Sequence, residues 1–163
     1  MSKVDGLLAA LVLAGIVALA AHLLREEAVV AGFARAVDGD SLRLDGREIR
    51  LTGIDAPELR QSCRRGAQPY ACGDVARRAL GDMLAGRIVT CRITGRDRYG
   101  RDLALCETGG ADIGAALVRR GYAVGYRRYE REEAAARRAG LELWSGSFER
   151  PSEWRKAHAE GRG

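Results

Sequence analysis

Val37-Asp-Gly-Asp-Ser-Leu-Arg-Leu-Asp-Gly-Arg-Glu-Ile-Arg-Leu-Thr-Gly-Ile-Asp-Ala-Pro-Glu58 decides how this chain folds. Leu42 and Leu44 alternate with polar residues, and Ile49 and Leu51 resume the alternation after Asp45-Gly46. Period-two alternation marks half-buried strands, and Asp-Gly between two such runs is a hairpin turn, because Gly accepts φ > 0 and Asp tolerates it. The hairpin folds the chain back, so Asp40 at its entrance and Asp55 beyond its exit are expected to approach each other. Pro57 stops further strand pairing and fixes the backbone beside Glu58. Three acids brought together repel unless a cation or a proton lies between them. Arg50 adds a permanent positive donor to the same stretch.

Outward from the hairpin, Val29 to Val37 is apolar and β-prone and reads as a first strand. Arg60 to Gly73 reads as a loop, Asp74 to Leu84 as a helix capped by Asp74 and ended near Gly86. Ile88 to Thr94 and Asp102 to Glu107 read as a second hairpin around the turn Gly95-Arg-Asp-Arg-Tyr-Gly100. Asp112 to Arg120 and Tyr129 to Ala139 read as two further helices. Leu141 to Trp144 and Phe148 to Trp154 read as a tail that lays aromatics on the domain, with residues 156–163 a polar, frayed end. Asp38 and Asp45 read as turn residues, Tyr122 as core, Trp144 and Trp154 as packing anchors, and His22 and His158 as residues without a special role.

The chain has 163 residues and a formal charge of +5. That length suits one domain with a real core, and the charge favours anionic partners. Cys63, Cys72, Cys91 and Cys106 include no Cys-x-x-Cys pair, which disfavours a zinc cluster and favours two disulfides in an oxidising compartment. Cys91 and Cys106 fall on opposite arms of the second hairpin, at a spacing a disulfide accepts. A Cys63–Cys72 bridge would tie the ends of the loop. Four cysteines allow three pairings, and Cys63–Cys72 with Cys91–Cys106 is the expected one.

Gly6 to Leu24 is a run of 19 residues, apolar except for His22. It approaches the roughly 20 residues that a membrane-crossing helix needs. Ala18-Leu19-Ala20 would suit signal cleavage, but Leu23 and Leu24 continue the run, which favours a retained anchor. The expected organisation is an anchor or signal over residues 1–27, one domain over residues 28–155 and a tail. The domain is expected outside the cytoplasm, held to the membrane through residues 6–24, or secreted if the segment is cleaved.

Asp38-Gly39-Asp40 looks like the start of an EF-hand loop. Leu42, Arg43 and Ile49 stand where that loop needs a ligand, Gly and the bidentate Glu, which excludes it. The acids with Arg50, and Arg101 on the second turn, are instead a kit for a hard cation and a phosphodiester.

Several stretches resemble the staphylococcal nuclease-like (thermonuclease) family. They are Val37-Asp-Gly-Asp-Ser41, Arg50-Leu-Thr-Gly-Ile-Asp-Ala-Pro-Glu58, Asp97-Arg-Tyr-Gly-Arg101, Leu117-Val-Arg-Arg-Gly121 and Gly140-Leu-Glu-Leu-Trp144. The resemblance implies an α+β, mainly β architecture: a five-stranded OB-type barrel with three helices, preceded here by the apolar N-terminal helix. It implies a monomeric, calcium-dependent endonuclease acting on DNA and RNA with little sequence preference. By the same resemblance Asp40, Asp55 and the Ala56 carbonyl hold Ca²⁺, and Glu58 activates or orients water. Arg50 and Arg101 hold the phosphate; Arg98, Tyr99, Tyr126 and Tyr129 line the substrate. The competing expectations are a non-catalytic OB-type nucleic-acid-binding module and a tethered interaction protein.

Overall fold

The computed structural model describes residue 6, residues 11–17 and residues 28–159. The apolar segment expected to span a membrane over residues 6–24 lies largely outside them; residues 11–17 are helical and exposed. No helix among the described residues is long and apolar enough to cross a membrane.

β1 (Val29–Ala36), β2 (Ser41–Leu44) and β3 (Arg47–Leu51) form an antiparallel meander. Leu44 faces Arg47 across the two-residue turn, and both turn residues take positive φ, 47° at Asp45 and 78° at Gly46. This is the expected hairpin, with the primed turn that matches strand twist. β7 (Ile88–Arg96) pairs with β1 and with β8 (Asp102–Thr108), and β8 returns to lie parallel to β3. That last pairing closes β3-β2-β1-β7-β8 into a five-stranded barrel, so no long edge is left open. The short β9 (Ala111–Asp112) extends the sheet beyond β8.

Leu42, Leu44, Ile49, Leu51, Val89 and Ala104 fill the barrel. Cys91 and Cys106 face each other across β7 and β8 and are bonded there, with Cα atoms 4.1 Å apart. α1 (Cys72–Leu84) and α2 (Ile113–Arg119) close the barrel with Leu80, Leu84, Ile113 and Leu117. α1 begins two residues before the expected cap: Asp74 lies inside its first turn and pairs with Arg77 and Arg78. α2 is capped by Asp112, which accepts from the Ala115 N–H at 2.9 Å. α3 (Glu130–Ala139) carries three glutamates in its first turn and two arginines in its last, complementing its dipole.

Two segments differ from the sequence-based reading. The loop after Arg60 contains a small hairpin, β5 (Cys63–Arg65) with β6 (Gln68–Tyr70). The Cys63–Cys72 bond, with Cα atoms 5.6 Å apart, ties this hairpin to the start of α1. The tail is a fourth helix, α4 (Pro151–Ala159), preceded by the 3-10 turn Glu142–Ser145. Pro151 at the first helical position supplies the fixed φ that starts it. The helix runs past Arg155, where a frayed end was expected.

Candidate active site

Asp40 reaches the site through a tight turn. Its N–H donates to Asp38 Oδ1 at 3.0 Å, and its carbonyl accepts from Leu51 N at 2.8 Å. Asp38 is therefore the turn residue that the sequence suggested. Gly39 is required beside it: a Cβ there would meet the methyl groups of Ala56 and Ala76 at 2.7 and 2.8 Å. Asp55 sits on β4 (Ile54–Asp55), which pairs with β10 (Val124–Gly125). Both aspartates are buried.

Arg50 joins them. Its Nη1 lies 2.9 Å from Asp40 Oδ1 and its Nη2 3.2 Å from Asp55 Oδ1. The second Asp40 oxygen accepts from the Ala56 N–H at 3.0 Å. Burial pushes the Asp40 carboxyl up from 3.8 to about 7; Arg50 and the Ala56 N–H pull the other way, while Asp38 and Asp55 add repulsion. Arg50 thus offsets only part of the charge of this acidic pair.

Glu58 enters through an arginine that sequence reasoning did not single out. Arg155, on α4, places Nη1 2.9 Å from both Asp55 Oδ1 and Glu58 Oε1, and Nη2 3.1 Å from Asp55 Oδ2. Burial works against the Arg155 charge, but the hydrogen bonds it donates to Asp55 and Glu58 more than offset it and raise its pKa. Nearly a hundred residues separate Arg155 from these acids, and no motif or periodicity links them in the sequence. The Glu58 backbone is also fixed. Its N–H donates to Gln61 Oε1 at 3.2 Å, and Gln61 Nε2 donates to the Glu149 carbonyl at 2.7 Å, just before α4. A Cβ at Gly73 would overlap the Glu58 carbonyl, so only glycine lets α1 approach this closely.

Arg101 follows from barrel closure. The parallel register sets Ile49 against Asp102, so Arg101 lies near Glu48, whose side chain shares a face with Arg50. Arg101 Nη1 is 3.8 Å from Glu48 Oε1, and its Nε donates to Asp97 Oδ2 at 2.7 Å. Burial disfavours the Arg101 charge, while Asp97 and, through space, Asp40 and Glu48 stabilise it. Asp40, Arg50, Asp55, Ala56 and Glu58 are therefore linked through direct bonds and Arg155, with Arg101 within electrostatic reach.

The expected substrate residues are distributed differently. Tyr99 is exposed at the second turn, with the guanidinium carbons of Arg98 and Arg101 4.8 and 5.7 Å from its ring centre. Tyr126 is exposed beside β4, its N–H donated to the Gly53 carbonyl at 2.9 Å. Tyr129 is half-buried against the core, and its hydroxyl donates to Asp112 at 2.8 Å. Burial, with that bond, pushes its phenol up to about 12. Tyr129 is thus tied to the cap of α2.

Among the described residues, no three acidic, imidazole or thiol groups stand as a ready metal cluster. The site offers instead two buried aspartates on one guanidinium, and a glutamate held by Arg155. Hard oxygen donors with charge left to neutralise suit Ca²⁺ or Mg²⁺ in kind.

Comparison with known proteins gives the family of the chain. The family model described as Staphylococcal nuclease homologue matches residues 48–146. "Succinoglycan biosynthesis protein ExoI" of Rhizobium meliloti (strain 1021) is 40% identical over 114 residues, 65% of this chain and 59% of that protein. "Probable staphylococcal-like nuclease CAN4" of Oryza sativa subsp. japonica is 34% identical over 116 residues, 67% of this chain but 22% of that protein. An "Uncharacterized endonuclease" of Haemophilus influenzae is 29% identical over 131 residues, 73% of this chain and 68% of that protein. The chain thus spans well under the full length of these relatives. A barrel with this closure and a family match that takes in Arg50, Asp55, Glu58 and Arg101 place the chain in the staphylococcal nuclease homologue family.

Proposed function

We propose that this chain is an endonuclease that hydrolyses phosphodiester bonds of DNA and RNA with little sequence preference and depends on a divalent cation, Ca²⁺ by preference. The observation that carries the reading is Arg50, which grips Asp40 and Asp55 at once beside Glu58. Asp40, Asp55 and the Ala56 carbonyl would hold the cation. When bound, it neutralises the aspartate pair and polarises the phosphoryl oxygen.

The chain's own groups supply the rest. Glu58, fixed through Gln61, holds and orients the attacking water and stands ready to take its proton. Arg50 and Arg101 aim planar, permanently charged donors at oxygens on which negative charge grows. Arg98 and Tyr99 offer a cation and a ring to the adjoining chain, and Tyr126 offers an exposed ring for a base. Two buried disulfides accord with an oxidising compartment. Export is therefore part of the reading, with residues 6–24 as anchor or signal and the nuclease acting as a monomer.

Incubating the protein with single-stranded DNA, with Ca²⁺ or with EDTA, tests the reading. Fragments that appear only with the metal support it. Salt-sensitive retention without cleavage would make the chain a binding module, and neither result would leave nucleic acid without a role.

A further inference from the structure

α4 presents a second surface beside Glu58. Asp38, Glu58, Leu59, Arg60, Trp154 and His158 line a groove of about 640 Å³. That is within the range of sites for small organic ligands. Trp154 and His158 stand four residues apart, on one face of the helix. Their rings are stacked, with centres 4.0 Å apart and planes 16° from parallel. The His158 Nδ1–H donates to the Trp154 carbonyl at 2.8 Å, the only sense in which a carbonyl can bond it, which fixes the imidazole against the indole. The helix cannot drift from the site: Arg155 holds Asp55 and Glu58, and Gln61 holds the Glu149 carbonyl.

We propose that this groove is a nucleotide subsite, in which the Trp154–His158 stack carries the base next to the scissile phosphate and Arg60 meets the following phosphate. The proposal rests on the nuclease reading of the adjoining site. Flat π surfaces beside an exposed guanidinium are what single-stranded nucleic acid stacks and pairs with, whatever its sequence. The carboxylates of Asp38 and Glu58 on the lining would repel a phosphate. The phosphate therefore belongs at Arg60 and the base inside. Glu58 lines both the groove and the candidate active site, so a base in one lies a single nucleotide from a bond in the other. A strand engaged at Tyr99 or Tyr126 would thereby be held on both sides of that bond.

The test compares Trp154→Ala and Trp154→Phe in the full chain on a six-nucleotide oligothymidylate and on the same strand with its bases replaced by abasic residues. The kcat/KM ratio of the intact to the base-free substrate should fall about tenfold in Trp154→Ala, through KM, and return with Phe, which can still stack. Equal losses on both substrates, through kcat, would make Trp154 a support for Glu58 and overturn the subsite. So would an unchanged ratio. Should Trp154→Ala fail to fold, Arg60→Gln carries the test. It should lower the slope of log KM against log salt by about 0.7 on the intact substrate, and an unchanged slope overturns the proposal. If the unaltered protein cleaves neither substrate, the nuclease reading fails instead.

Discussion

At the scale of single residues, Asp40 is a buried carboxyl set between burial, which disfavours its charge, and Arg50, which favours it. Its carboxyl is raised from 3.8 to about 7, chiefly by burial. Between those values the native state keeps a proton that the unfolded chain has released, so stability falls as pH rises across that window. Without divalent cations, urea unfolding should show this decline at up to roughly 1 kcal/mol per pH unit, and Asp40→Asn should remove it. A cation that binds the ionised pair should flatten the same slope. Arg50 sits on the other side of this balance. Arg50→Lys loses the planar fork that spans Asp40 and Asp55, so cleavage should slow by about 10²–10³, close to the effect of Ala. Arg155 is half-exposed, so solvent screens its pairs. Arg155→Met should cost about 1 kcal/mol in metal-free protein, and Ca²⁺ should raise the variant's Tm more than the parent's, because the ion can replace the lost charge. An equal rise in both would detach Arg155 from the cation's acids.

At the scale of elements, the two disulfides have different consequences. Cys91–Cys106 lies within the barrel and closes a separation of 15 residues. Replacing both with Ala should cost about 3 kcal/mol in stability. Cys63–Cys72 anchors the hairpin whose Arg64 exchanges backbone hydrogen bonds with Ser147, on the approach to α4. The neighbouring Gln61 links that approach to Glu58. Losing Cys63–Cys72 should therefore lower kcat at a temperature where the protein stays folded, whereas losing Cys91–Cys106 should lower Tm and leave the activity of folded protein largely intact. Steady-state rates beside melting curves separate the two. The cysteine spacing made the cross-strand pair legible, because facing residues in a hairpin are already at bonding distance. The small hairpin between Cys63 and Cys72 was not legible: Gln, Arg and Pro hide strand periodicity, and its pairing leans on Ser147 from far along the chain.

For the whole molecule, the barrel was readable because its hairpins are local. Alternating leucines, Asp45-Gly46 and the Asp97-to-Gly100 turn each act over a few residues, where backbone sterics and side-chain burial decide the outcome. The acids and Arg50 were legible for the same reason, since one hairpin carries Asp40, Arg50 and Asp55 and Pro57 delivers Glu58. Closure of β3 on β8, which brings Arg101 beside Glu48, is a contact between distant strands, and only the packed barrel set its register. The tail shows the limit most clearly. Trp154, Arg155 and His158 look like polar and aromatic residues at a chain end, and nothing near them in sequence gives them a destination. The amino-acid order by itself determined the hairpins, their buried faces and the kinds of side chain available for phosphate chemistry. The tertiary structure alone decided that α4 would lie against Glu58, because the contacts that hold it, Arg155 to Asp55 and Gln61 to Glu149, join residues with no local correlation to betray them.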